Sequence, residues 1–198
     1  MNPPRYVHLR LHSEYSVTDG IVRVGDAVKH AASDGMPALA MTDLGNLFGL
    51  VKIYMATRSK GVKAIAGADV WITNPESPDD ASRLLLLARN RAGYQQLCEL
   101  LTKAYMVENR RDRAEIRREW FAEIGSDGLL ALSGGHLGDV GDALLNGNFE
   151  LASERAKSWE AICPGAFYLE VQRYGQPQQE TIVRQTADLA GELGLPLV

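Results

Sequence analysis

Short aliphatic runs alternate along this chain with longer stretches of helical period, and no other feature restricts the fold as much. That alternation is the signature of an α/β architecture with parallel strands. Seven runs are predicted as strands: Tyr6 to His12, Ala38 to Thr42, Lys63 to Thr73 with a break at Gly67, Arg83 to Ala88, Leu129 to Ser133, Phe167 to Gln172, and Leu195 to Val198. Between them, Val24 to Ser33 places Val28, Ala31 and Ala32 on one face and stops before Gly35 and Pro37, the expected C-terminal punctuation of a helix. Leu47 to Lys60 repeats Leu47, Leu50, Val51 and Tyr54 and stops at Gly61. Tyr94, Leu97, Leu101 and Ala104 form a third stripe, Ala152, Ala156 and Trp159 a fourth. Ile182, Val183, Ala187, Ala190 and Leu193 form a fifth after Pro177. Each stripe is expected to face a core.

With 198 residues, 45% hydrophobic and 23% charged, the chain can build one good-sized core. The opening "MNPPRYVHL" does not resemble a signal peptide, and the longest aliphatic run, Leu84 to Ala88, is far too short to span a bilayer. A cytoplasmic protein with no membrane partner is expected. Cys98 and Cys163 stand far apart with no His or Cys at metal-site spacing, so core packing is expected of both. A net charge of −4 argues against a surface that is a general sleeve for nucleic acid. Five arginines crowd "NRRDRAEIRREW", Asn109 to Trp120, but acids are interspersed, which predicts a solvated helix surface. "TNPESPDD", Thr73 to Asp80, predicts a surface loop. The final "GLPLV" begins another buried strand, so the chain is expected to be cut from something longer.

Polar residues with chemical potential gather at expected strand ends. In "VHLRLHSEYSVTDG" strand alternation would point His8, Arg10 and His12 to one side, with Ser13 and Asp19 in the following turn. His12, Asp43 after "ALAMT" and Glu170 within "FYLEVQ" fall where parallel α/β proteins build metal or phosphate pockets, although caps and satisfied buried polar groups also sit there. "TDLGNLFG" supplies Gly45 and Asn46 before a helix, matching a tight βα turn as well as an anion site. "LSGGHLGDVGDAL" brings glycines and His136 to a strand-to-helix junction. No nucleophile elbow or catalytic triad can be ordered from the residues.

Together, "VHLRLHSEYSVTDG", "GMPALAMTDLGNLFGLVKIY", "GVKAIAGADVWI", "LLLLARNRAGYQQL" and "LLALSGGHLGDVG" closely resemble, in this order, the polymerase and histidinol phosphatase (PHP) domain. The resemblance runs from about Tyr6 to Val198 and is to the amino-terminal PHP domain of bacterial replicative DNA polymerase III alpha subunits. It implies a distorted seven-stranded β/α barrel whose last part is truncated, residues 1–198 being a PHP domain incomplete at its C-terminus. It implies that palm, thumb and fingers are absent, and with them every carboxylate for nucleotide addition, so no catalytic residue can be named. Magnesium would serve the parent polymerase; no cofactor is expected in this fragment. The implied partners are the rest of the polymerase chain, a proofreading exonuclease subunit, and DNA through the parent protein.

Members of the family that keep their chemistry hold about three metal ions with histidines and carboxylates and hydrolyse phosphoesters. This sequence departs from that pattern. Arg10 stands at the first histidine of a His-x-His pair whose second member is His12, and Asp43 is followed by Leu44 where the family has a histidine. Asp69 replaces a glutamate, Arg83 a histidine, Gly135 a cysteine and Tyr174 a histidine, while Asp19 and Glu170 match. Permanent cations at positions 10 and 83 would neutralise the acids that divalent ions once served. The expectation is therefore a vestigial pocket of Arg10, His12, Asp19, Asp43, Asp69, Arg83 and Glu170 with no metal, Arg10 pairing with one or more of the four carboxylates and Arg83 supporting the same cluster. In the alternative, both arginines point into solvent. The leading functional reading is a catalytically inactive scaffold and docking domain; the alternative is a metal-dependent PHP phosphoesterase or 3′–5′ exonuclease.

Overall fold

The computed structural model describes residues 6–74, 77, 79–107, 113–175 and 179–198. The chain forms two compact units, Met1–Asp69 and Val70–Val198. Among the described residues the fold is mixed α/β, with six strands and seven α-helices. The strands are β1 (Ala38–Met41), β2 (Lys63–Ile72), β3 (Ser82–Ala88), β4 (Glu115–Ile116), β5 (Leu129–Leu132) and β6 (Phe167–Tyr168). The sheet runs in the order β1-β2-β3-β5-β6, with β4 also on β2.

In the first unit, α1 (Val24–Ser33) and α2 (Leu50–Arg58) surround β1. β1 pairs in parallel with the first half of β2, Ala38 opposite Lys63 and Met41 opposite Ala66. Val24, Val28, Ala31, Leu39, Met41, Ile53 and Val62 form its core. Truncating a residue such as Ile53, wholly buried, would cost about 2–5 kcal/mol. The buried face of α2 is Ile53 and Thr57, with Leu50 and Ala56 partly covered. This corrects the predicted stripe, because Val51 and Tyr54 point outward, 75% and 51% exposed. Apolar residues on both faces made the helical period ambiguous.

The expected first strand, Tyr6 to His12, is not a regular ladder. His8 O accepts from Ala40 N and Leu11 O from Thr42 N, both at 3.0 Å. Leu9 and Arg10 thus lie beside Met41 alone, and the extra residue interrupts the alternation that would have put His8, Arg10 and His12 on one side. β2 continues through Gly67 without the expected break.

In the second unit, α3 (Arg91–Met106), α4 (Trp120–Ile124), α5 (Asp139–Leu145), α6 (Phe149–Ile162) and α7 (Gln179–Leu193) accompany the remaining strands. Asn90 and Asn148 cap α3 and α6, their side chains accepting from Gly93 N and Leu151 N. β5 and β6 are parallel, but β3 and β5 are antiparallel, Leu85 opposite Leu132 and Ala88 opposite Leu129. The all-parallel expectation fails there because β3 follows β2 after nine residues, too few for the helical crossover that parallel neighbours require. The terminal residues pair as a single parallel bridge, Leu169 with Leu197, extended by Val171 N donating to Val198 O at 2.8 Å.

The arginine-rich stretch also differs from expectation. Asn109 to Asp112 lie outside the described residues, as do parts of the Thr73 to Asp80 loop and Pro177. Glu115–Ile116 is strand β4, parallel to Trp71 and Ile72 of β2. Its neighbours stack rather than solvate: Arg113 lies 4.6 Å from the Trp71 ring centre and Arg118 4.4 Å from that of Trp159. Trp159, wholly buried, donates its indole N–H to Asp139 at 3.1 Å, and Arg118 pairs with the same carboxylate. This network ties α5 to α6 through satisfied polar groups in the core.

Candidate functional site

Four of the residues singled out in the sequence meet in the first unit. Asp69, at 0% exposure, lies near the end of β2, its N–H donating to Asp43 O at 3.2 Å and its O accepting from Gly45 N at 2.7 Å. Gly45 makes that turn at φ +66°, a conformation in which a Cβ would be strained. Arg10 forms an ion pair with the Asp69 carboxylate. His12 Nε2 faces the same carboxylate at 3.0 Å, and its Nδ1 faces Asp19 at 2.9 Å. Arg10 and His12 thus converge on Asp69, and His12 links it to Asp19.

The histidine titrates accordingly. Burial by itself would lower the His12 pKa, but its hydrogen bond to Asp69 and the charges of Asp69 and Asp19 outweigh this and raise it. Only the imidazolium can donate from both nitrogens at once, so the geometry favours the protonated ring.

Asp43, 1% exposed, does a different job. Its Oδ1 accepts from Ser13 N at 2.6 Å and its Oδ2 from Ser13 Oγ at 3.0 Å. This clamps the chain after His12 onto the end of β1. Ser13 O then packs against the chain return at Gly20, where any Cβ would lie 1.8 Å from that oxygen. The clamp was not anticipated, because a backbone N–H is invisible in a search for side-chain partners. His8, also singled out, instead meets the Tyr6 ring edge-on, centroids 4.8 Å apart.

The other two positions belong to the second unit. Arg83 is 6% exposed, and its guanidinium lies 4.2 Å from the Trp71 ring centre, opposite in sequence logic to an outward-pointing cation. Glu170, also 6% exposed, accepts from Gln172 Nε2 at 2.7 Å, and its backbone N–H donates to Ser133 Oγ at 2.9 Å. Glu170 lines a cavity of about 530 Å³ with Gly135, His136, Gln172 and Tyr174. Four positions flagged in the sequence, Gly135, His136, Glu170 and Tyr174, are therefore gathered at one opening, where the Tyr174 hydroxyl lies 3.3 Å from His136 Nε2.

A model of the PHP domain family matches residues 8–174. The chain belongs to the PHP domain family. Among curated relatives, this PHP chain is 48% identical over 200 residues to the DNA polymerase III subunit alpha of Neisseria meningitidis serogroup A, covering 100% of this chain and 18% of the relative. It is 43% identical over 198 residues to the protein of that name from Escherichia coli K12, covering 100% of this chain and 17% of the relative. The chain thus spans less than a fifth of the length of these relatives. An amidohydrolase from Chromobacterium violaceum, solved with bound sulfate and no metal, shares the fold at a TM-score of 0.63 and 14% identity, over 96% of this chain and 84% of its own.

The PHP family's metal ions do not fit the residues of the first unit as they stand. A guanidinium is bonded to Asp69, both His12 nitrogens face carboxylates, and the Asp43 oxygens accept from Ser13. Among the described residues no group of three or more His, Cys, Asp or Glu is arranged to hold a metal ion. No helix among them is long and apolar enough to cross a membrane.

Proposed function

We propose that this PHP domain is the amino-terminal part of the alpha subunit of a bacterial replicative DNA polymerase, and that it serves there as a metal-free, catalytically inactive scaffold and docking domain for the proofreading exonuclease subunit. Relatives of that name, matched over the whole chain, support the placement. In this reading the domain is a distorted seven-stranded β/α barrel, the seventh strand supplied by the segment around Leu197 that bridges Leu169. Nucleotide addition, its magnesium and its DNA contacts belong to the remainder of the cytoplasmic polymerase.

The observation that carries the inactive reading is Arg10 on Asp69. A fixed positive charge there offsets the acid that a divalent ion would otherwise bind, and it cannot dissociate or activate water.

Calorimetric titration of the purified chain with manganese and zinc tests it, together with hydrolysis of p-nitrophenyl phosphate and of a single-stranded DNA 3′ end. The expected result is no stoichiometric binding and no turnover. Tight binding of either ion, or manganese-dependent hydrolysis abolished by His12→Ala, would establish the enzymatic reading instead. Co-purification of the full-length chain with the exonuclease subunit tests the docking role.

A further inference from the structure

The cavity beyond the end of β6 lies wholly within the second unit, and its volume of about 530 Å³ is that of a small-molecule site. Two of the polar side chains that line it are more than nine-tenths buried, Thr186 at 5% and Gln179 at 8% exposure. Both come from α7, which also brings Ile182 and Val183 to the cavity. Gln179 Oε1 accepts from Tyr174 N at 2.7 Å and from Gly175 N at 3.0 Å. Those two bonds settle which end of the amide is oxygen and leave its NH₂ group as a double donor. Among the described residues neither that NH₂ nor the Thr186 hydroxyl has a hydrogen-bond partner.

The segment after β6 supplies the complementary chemistry. Gln172 Nε2 donates to Glu170 Oε1 at 2.7 Å, so Gln172 Oε1 remains as an acceptor beside the Glu170 carboxylate. The absence of a side chain at Gly135 makes room for this arrangement, since a Cβ there would lie 3.1 Å from Gln172 Nε2. Val171 and Leu145 add apolar surface, and Tyr174 adds an aromatic ring whose hydroxyl meets His136.

These groups select among guests. An apolar molecule would leave the Gln179 NH₂ and the Thr186 hydroxyl unpaired in a buried place. A phosphate would meet no lysine or arginine among the described residues of the lining. An added peptide strand finds the neighbouring edge taken, because Leu169 N and Val171 N already donate to Pro196 O and Val198 O. A flat, uncharged molecule with an acceptor for α7, a donor for Gln172 and an apolar face satisfies all of them.

We propose that this cavity binds an uncharged nucleobase, as the free base or its nucleoside. Gln179 and Thr186 donate to a ring nitrogen or carbonyl of the base, Gln172 accepts from one of its N–H groups, and Tyr174 covers its ring. The hydrogen-bonding edge of a base carries donors and acceptors side by side, and sites that read a single base pair that edge while packing aromatic and apolar groups on its faces. The site depends on neither the Arg10–Asp69 pair nor the docking role.

Saturation-transfer difference NMR of the full-length polypeptide with adenosine, guanosine, cytidine and uridine tests the proposal. At least one should bind saturably, with a Kd on the order of 1 mM or tighter. Gln179→Glu keeps the oxygen that Tyr174 N and Gly175 N use and removes the donor, while Thr186→Val removes only the hydroxyl from a side chain of the same shape. Each should weaken binding by about fivefold or more and leave the circular dichroism spectrum unchanged. Hydroxyl-radical footprinting of the unaltered polypeptide gives a second reading that needs no variant: the saturating nucleoside should slow oxidation of Tyr174 and His136 and leave Met106, 81% exposed, at its own rate. Absence of binding by all four nucleosides overturns the proposal. So does binding that both folded variants retain, or that leaves Tyr174 unprotected, because it belongs elsewhere on the polypeptide. Tighter binding of the 5′-monophosphate or of a single-stranded oligonucleotide, lost in the same variants, overturns it too, for the cavity would then be built for a phosphate or a strand.

Discussion

Replacing Arg10 by alanine removes the cation from a carboxylate that has no access to water. Breaking one side of a well-buried ion pair costs about 3–5 kcal/mol. Two features reduce that here: the Arg10 side chain retains 20% exposure, and His12 remains at 3.0 Å from the same carboxylate. A loss of about 2–3 kcal/mol is expected. At about 2–4 °C per kcal/mol for a domain of this size, the melting temperature should fall by about 4–12 °C. The loss should be larger at pH 8 than at pH 6, because only a protonated His12 can replace the missing charge. Proton NMR of the His12 ring should also show its pKa rising further in Arg10→Ala, since a neighbouring cation has gone. Thermal melts followed by circular dichroism at the two pH values provide the measurement. A variant that melts within a degree of the parent at both would refute the reasoning, for Asp69 would then need no compensation.

His12 makes a second prediction through its own titration. Its folded pKa lies above the unfolded 6.5, so its contribution to stability is full below pH 6.5 and is lost as pH rises through the folded value. Chemical denaturation across pH 5.5 to 8.5 (a range of about three units around the reference value) should show that decline, and His12→Gln should flatten it. Asp139→Ala strands both the Trp159 indole N–H and the Arg118 guanidinium, and urea unfolding should register a loss of about 3 kcal/mol or more; a loss below about 1 kcal/mol would show the network to be dispensable. Burial pushes the Cys163 thiol up to about 11, so it should resist a disulfide reagent in the native protein and react only after denaturation, as mass spectrometry of the labelled peptide would reveal. Gly20→Ala would place a methyl on Ser13 O, and hydrogen exchange at Ser13 should accelerate as the clamp to Asp43 loosens.

What the sequence carried depended on the range of the interaction. α1 spans Val24–Ser33 as predicted, because a clean stripe and the Gly35 to Pro37 stop are local signals. α2 misled, because Val51 and Tyr54 repeat at the same helical spacing as the residues that are actually buried, and only the packing of Ile53 on Val24 and Met41 chooses between the faces. β4 is two residues long, too short for any period, and is defined by Trp71 and Ile72 some forty residues earlier in the chain. At the site, the residue types at positions 10, 12, 19 and 69 were legible through the family resemblance, but the pairing of Arg10 with a residue 59 positions away was set by β2 lying where its carboxylate could be reached. Asp43 was expected among the acids needing a cation, yet it bonds to Ser13. Arg113 was assigned to a wet helix surface and lies instead on Trp71, a contact between distant aromatic and cationic residues that no local pattern encodes.

The clamp of Ser13 on Asp43 has a consequence for how this cluster can be altered. Asp43 now fastens a backbone segment, and Asp69 holds an arginine and a histidine together. Substituting any one neighbour by an ion-ligating residue would therefore sacrifice an anchor before a second change could supply its replacement. Because such contacting positions do not contribute independently, the path of single steps crosses less stable sequences. Changes within this cluster would have to come together to leave its stability intact.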